Sequence, residues 1–192
     1  MNGIELLAVG ASAGGFEAIV KLLPFFESFA GPVLLVLHMP PDRESPLVET
    51  LQPRTKLRVK EAEDKEQMQP GCLYVAPPNY HLLVNPGGEL SLDAGELENF
   101  SRPSIDALFE SAAFVYGPRM AALLLTGANA DGSRGLKTVQ DHGGLAGVES
   151  PVTARFPQMP EAAVGLIRPD ATLPLPELGL WIAAGFRKER LG

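Results

Sequence analysis

The sequence predicts a single α/β domain over residues 1–192: a doubly wound, mostly parallel sheet with helices on both faces and a peripheral antiparallel hairpin. Three observations predict it. Several short runs are apolar at every position, the pattern of strands buried on both faces rather than one. Each run closes on glycine or proline and is followed by a stretch of helix length, the alternation that parallel βαβ units require. Hydrophobic residues make up 45% of the 192, enough for a packed core and too many for a disordered chain.

In order, residues 4–9 form an apolar strand interrupted only by Glu5 and ended by Gly10-Ala11-Ser12-Ala13-Gly14-Gly15. Phe16, Ile19, Val20 and Leu23 then recur at helical spacing, and Pro24 is expected to stop that helix. Residues 33–37 are a second unbroken apolar strand, set between Gly31-Pro32 and Met39-Pro40-Pro41. A short helix over 45–51, a short strand over 57–60 and a strand over 72–76 follow. The runs 81–84 and 89–92 flank Asn85-Pro86-Gly87-Gly88 and read as a hairpin. Ile105, Leu108, Phe109 and Ala112 share one face of a helix over 104–116, with Ser104 as its N-cap. Residues 120–125 are a third unbroken apolar strand, ending at Thr126-Gly127. A helix over 131–140 stops at His142-Gly143-Gly144, a strand covers 145–148, and helices over 161–166 and 177–186 close the chain.

Sixteen Lys and Arg against 23 Asp and Glu give a net charge of −7. An acidic chain with no basic run lacks the electrostatic footprint of a nucleic-acid binder, and anionic membrane surfaces repel it. Cys72 is the only cysteine, which excludes an internal disulfide and a Cys-based zinc site; within its apolar run it reads as a small core residue. No basic leader opens the chain, and no apolar run approaches the ~20 residues that span a bilayer. A cytoplasmic protein that is not membrane-inserted is the expectation.

The loop after the first strand carries the first chemical signal. As a phosphate loop it fails, because the spacing is not G-x-G-x-x-G and His38 stands where a dinucleotide site wants a carboxylate. Gly10–Gly14 does fit G-x-S-x-G, in which small neighbours permit a sharp turn that lifts the Ser12 hydroxyl clear of the sheet. The N–H groups opening the helix, Ala13 first, would then face an oxyanion. A plain glycine-rich turn with a capping serine is the competing reading, and it loses ground only if a base lies nearby.

His38 ends the second apolar strand, and in a doubly wound sheet the strand ends share one edge. Ser12 and His38 therefore share it, as nucleophile and base require. A carboxylate must fix the other imidazole nitrogen. Asp131 follows the third apolar strand, again at a strand end, though a helix N-cap would explain it as well. Asp42, Asp106 and Asp141 fit less well, as a surface residue, a helix position and a helix end. His81 opens the hairpin and His142 ends a helix; both read as structural or surface histidines. An α/β-hydrolase is excluded: only nine residues precede Gly10, and in that fold Asp precedes His.

Taken together these residues resemble a known family. Gly10-Ala11-Ser12-Ala13-Gly14-Gly15, Leu37-His38-Met39-Pro40 and Leu125-Thr126-Gly127 with Asp131-Gly132 are similar to the catalytic domain of CheB-type chemotaxis methylesterases. Supporting matches are Tyr74-Val75-Ala76-Pro77 with His81-Leu82-Leu83-Val84, Arg102-Pro103-Ser104-Ile105-Asp106, and Phe156-Pro157-Gln158-Met159-Pro160. The resemblance implies hydrolysis of glutamyl methyl esters on chemoreceptor helices, with glutamine deamidation as a companion activity and no cofactor. It implies Ser12 as nucleophile, His38 as base and then acid, and Asp131 as its orienter. It also implies a methyl-accepting receptor or similar methylated protein as partner, with a separate receiver or a methyltransferase beside it.

Three departures from the family pattern stand out. The first core strand begins at Ile4, with no receiver ahead of it, so control by phosphorylation is expected only in trans. Ala13 stands where many members have Thr, and Ala128-Asn129 replaces the usual Met-Gly, whose Met borders the oxyanion site. Ala13 and Ala128 are thus the candidates at the oxyanion, and Arg102 the candidate contact for an acidic substrate helix, with a structural turn as its competing role. Two other functions remain open: a non-catalytic docking module for a receptor or methyltransferase, and a serine hydrolase of another ester or amide.

Overall fold

The computed structural model describes residues 3–38, 46–98 and 101–187. In chain order its elements are β1 (Leu6–Ala11), α1 (Gly15–Phe26), β2 (Val33–Leu37), α2 (Leu47–Leu51), β3 (Arg58–Glu61), β4 (Cys72–Val75), β5 (His81–Asn85), β6 (Glu89–Asp93), α3 (Ile105–Tyr116), β7 (Met120–Leu124), α4 (Ser133–Asp141), β8 (Leu145–Glu149), α5 (Gln158–Leu166), β9 (Ala171–Leu173) and α6 (Leu175–Ala183). Seven strands pair in the order β3-β4-β2-β1-β7-β8-β9, each pair parallel. β5 and β6 form the separate antiparallel hairpin.

The unbroken apolar runs become the central strands, because side chains alternate across the sheet and both faces are covered. Leu7, Val9 and Ala11 of β1 join Val33, Leu35 and Leu37 of β2 under α1, α2 and α6. Leu6 and Ala8 join Leu34, Val36 and Met120, Ala122 and Leu124 of β7 under α3, α4, α5 and the hairpin. The chain leaves β1 towards β2 on one side and returns as β7 on the other. The order of the sheet therefore reverses at β1, and in such sheets a crevice opens beyond the carboxyl ends at the reversal.

Besides shifts of a few residues at β1, α5 and α6, three differences from the sequence reading have a clear physical reason. α1 runs through Pro24 to Phe26: a proline so near the end removes one intrahelical bond, and the fully buried Leu23 and Phe26 hold the last turn against the sheet. β9 went unread because three edge residues, one of them exposed, carry no periodic signal. α4 begins at Ser133 rather than at residue 131, since Gly132, with φ 91°, takes the cap position. The start of the short helix expected over 45–51 lies outside the described residues.

Two glycines seat α3 against the strand ends. A Cβ on Gly10 would run into Ile105, and one on Gly132 would come 2.7 Å from Ile105 Cγ2. Ile105 is fully buried and branched, so it has nowhere to retreat. Gly10→Ala is expected to destabilise the fold by about 1–3 kcal/mol, read as a lower urea midpoint at unchanged slope.

Candidate active site

Strand pairing sets the positions first. Ala11 and Leu37 are the last register partners of β1 and β2, and the His38 N–H continues the ladder to Ala11 O at 3.0 Å. On the other side the Ser12 N–H donates to Thr126 O at 3.0 Å. Ser12, His38 and the loop after β7 are thus placed side by side by ladder hydrogen bonds about 4.8 Å apart from strand to strand. The left-handed residue of the turn is Gly14, with φ 75°; among the described residues the positive-φ non-glycines are Lys65, Asn79 and Phe186. Ser12 follows the last residue of β1 without a positive φ, and Gly14, two residues on, takes the left-handed conformation of the turn.

The His38 imidazole meets Asp131 through Nε2, 2.9 Å from Oδ2. Asp131 is fully buried and accepts further bonds from the start of α3. Ile105 N–H donates to Oδ2 at 2.7 Å, Asp106 N–H to Oδ1 at 3.1 Å and Ser104 Oγ to Oδ1 at 3.0 Å. The carboxylate thus lies on the N-terminus of α3, where orphan N–H groups and the helix dipole favour an anion. The competing reading of Asp131 was a cap of the helix that follows it; it holds the start of a different one. Ser104, read as the N-cap of α3, does accept from Ala107 N–H, and its hydroxyl donates to Asp131 as well.

Burial pushes the Asp131 carboxyl up, but the bonds from His38, Ile105 and Asp106 outweigh it and leave the group below the ordinary aspartate value. Because the folded-state value lies below the unfolded one, its stabilising contribution is full above the ordinary aspartate range and is lost as pH falls through the depressed value. Urea midpoints of wild type and Asp131→Asn, well separated at pH 7, are expected to converge below about pH 4.

With Nε2–H given to Asp131, Nδ1 carries the imidazole lone pair and is the atom open to a proton. Asn129 Nδ2 lies 3.5 Å from it. Ser12 and His38 line one cleft of ≈ 410 Å³ with Ala13, Gly14, Phe16, Leu37, Leu47 and Thr50. No hydrogen bond joins their side chains; catalytic hydrogen bonds are often long before substrate arrives.

Several supports were not legible in the sequence. Thr126 Oγ1 donates to Ala13 O at 3.0 Å and accepts from Phe156 N–H at 2.9 Å, tying three loops together. Thr126 N–H donates at 2.8 Å to Glu149, whose buried carboxyl is pushed up by desolvation. His81 is buried, donating from Nε2 to Glu96 O and accepting from Ser104 N–H at Nδ1, so it stands one residue behind the Asp131 contact. The Arg-Pro-Ser turn and the strand-end threonine were the visible signals; neither declares its partner. Arg102 turns its guanidinium onto the carbonyls of Ala94 and Gly95 and does not line the cleft. These two bonds are what the structural-turn role expects of Arg102. Ala128 is exposed on the loop after β7, and buried Cys72 has its thiol pushed up by burial. Among the described residues no cluster of three His, Cys, Asp or Glu is placed to hold a metal ion.

Comparison with known proteins follows the same lines. The family model described as CheB methylesterase matches residues 7–182. A Leptospira interrogans protein whose name provisionally gives the activities protein-glutamate methylesterase and protein-glutamine glutaminase is 41% identical over 175 residues, 91% of each chain. The protein-glutamate methylesterase FrzG of Myxococcus xanthus is 38% identical over 175 residues, 91% of this chain and 52% of its own; the chain thus spans about half the length of that relative. The crystal structure of the Thermotoga maritima CheB methylesterase catalytic domain superposes with a TM-score of 0.88 at 30% identity, covering 94% of this chain and 98% of that one.

Proposed function

The chain belongs to the CheB methylesterase family, and from that premise we propose that it hydrolyses glutamyl methyl esters of a chemoreceptor-type protein with Ser12, His38 and Asp131. The observation that carries the reading is the His38–Asp131 contact at the strand ends, beside the residue that the Gly-rich loop presents. Ser12 Oγ attacks the ester carbonyl and its proton passes to His38 Nδ1. The imidazolium so formed is stabilised by Asp131, ionised through the neutral range, against Nε2–H. The oxyanion faces the Ala13 N–H just ahead of α1, with Ala128 as the candidate on the loop after β7. Nδ1–H then protonates the methoxy oxygen, methanol leaves, and water attacks the acyl-serine with His38 again as base to release glutamate. Glutamine deamidation follows the same path with ammonia as leaving group. The cytoplasmic face of the receptor is the proposed place of action, and among the described residues no helix is long and apolar enough to cross a membrane.

Methanol release from methylated chemoreceptor membranes tests the reading directly. Release above background is expected with wild type, together with labelling of Ser12 by a serine-reactive phosphonate. Labelling without methanol release would point to a hydrolase of another ester. Neither would leave a docking module.

A further inference from the structure

Asn129 lies in the loop after β7, and the structure ties its side chain both to the backbone of Asp131 and to the His38 imidazole. Its Oδ1 accepts from the Asp131 N–H at 3.1 Å. A backbone donor cannot reverse, so this bond fixes the orientation of the amide. The Nδ2 is thereby turned to His38, 3.5 Å from Nδ1. Nε2 is committed to Asp131, so Nδ1 is the nitrogen that gives the proton to the leaving group. A general acid works within about 2.6–3.2 Å of the atom that it protonates. Because Nδ1 and Nδ2 lie 3.5 Å apart, a leaving atom that approaches Nδ1 from the Asn129 side meets both.

We propose that Asn129 is a specificity-determining residue that favours the methyl ester over the side-chain amide by donating a hydrogen bond to the leaving oxygen. The proposal rests on the reading of Ser12 and His38 given above. In the tetrahedral intermediate the methoxy oxygen has two lone pairs. One takes the Nδ1 proton as the C–O bond breaks and its electron pair moves to oxygen; the other accepts Nδ2–H. The leaving nitrogen of an amide has one lone pair, which must take the Nδ1 proton, and its own N–H groups face the Asn129 donor. Two donors then meet with no acceptor between them. A site built to donate to an ester oxygen thus discriminates against the isosteric amide, as unpaired polar groups do elsewhere.

The test compares one receptor carrying either the methyl ester or glutamine at the same position, reading methanol and ammonia release as kcat/KM. Asn129→Ser keeps a side-chain oxygen for the Asp131 N–H but removes Nδ2; Asn129→Asp keeps that acceptor and puts an acceptor where Nδ2 was. The ratio of ester to amide turnover is expected to fall about tenfold or more in both variants, further in Asn129→Asp. Ester and amide rates that fall in parallel, with the ratio unchanged in both variants, would overturn the proposal and leave Asn129 shaping the loop alone. Hydrolysis that persists in Ser12→Ala would instead overturn the reading on which the proposal stands, and the proposal with it.

Discussion

Ser12→Ala is expected to reduce methanol release by on the order of 10⁴-fold or more while leaving the protein as stable as wild type. The two effects separate because Ser12 serves the fold through its backbone. Its N–H donates to Thr126 O and its carbonyl accepts from Gly15 N–H at 2.8 Å, and alanine keeps both. The hydroxyl is what the proposed reaction uses and what the variant removes. A thermal midpoint within about 1 °C of wild type, beside a lost rate, would place the loss in the chemistry. A variant that retained a tenth of the wild-type rate would sink the serine mechanism.

The second large effect is expected at Asp131, where activity and stability fall together. In Asp131→Asn the Ser104 hydroxyl can turn to accept from the new NH₂ group, so the amide oxygen stays towards His38 and Ile105. The geometry of the imidazole is then kept and the negative charge is not. The imidazolium formed in each proton transfer loses its counter-charge, and kcat is expected to fall by about 10²–10⁴-fold with KM little changed. At the same time the NH₂ group faces the Asp106 N–H, which loses the acceptor it now has at 3.1 Å. One buried donor without a partner costs about 1–3 kcal/mol. Steady-state kinetics and urea unfolding on the same preparation separate the two losses. A kcat within threefold of wild type would show that the carboxylate serves only the N-terminus of α3.

Both effects arise at one residue because Asp131 belongs to two structures. It is the anion on the start of α3 and the partner of His38, and the close seating of Ile105 on Gly10 and Gly132 brings these together. The candidate site and the packing of the α3 face are therefore coupled. Gly10→Ala, argued above on packing alone, is expected to lower activity as well as stability for this reason.

Much of this was legible along the chain. Runs such as 33–37 and 120–125 are apolar at every position, and no arrangement but a doubly covered strand buries them. Once those strands lie parallel, with their ends at Ser12, His38 and the loop that carries Asp131, the three residues must share an edge of the sheet. Local pattern and sheet geometry determine that much without any knowledge of contacts. The same pattern misread Pro24 as a stop, because the burial of Phe26 that carries the helix past it is a tertiary matter. Nor could it tell whether Arg102 faces a substrate or holds a loop, because an exposed charge and a loop-holding charge are spelled alike; the bonds to Ala94 O and Gly95 O are visible only in the fold.

What the sequence by itself determined was the fold class and the strand ends, and with them the one sheet edge that carries the candidates Ser12, His38 and Asp131. Tertiary structure alone decided which imidazole nitrogen faces the carboxylate, that the carboxylate rests on the N-terminus of α3 rather than α4, and that Asn129 faces the remaining nitrogen. The reason is one of range. Periodicity and turn chemistry act over a few residues and are written in neighbouring letters. The Ser104 and Ile105 bonds to Asp131 span 27 and 26 residues and the His38 bond 93, and they exist only after the sheet has brought distant loops within 3 Å.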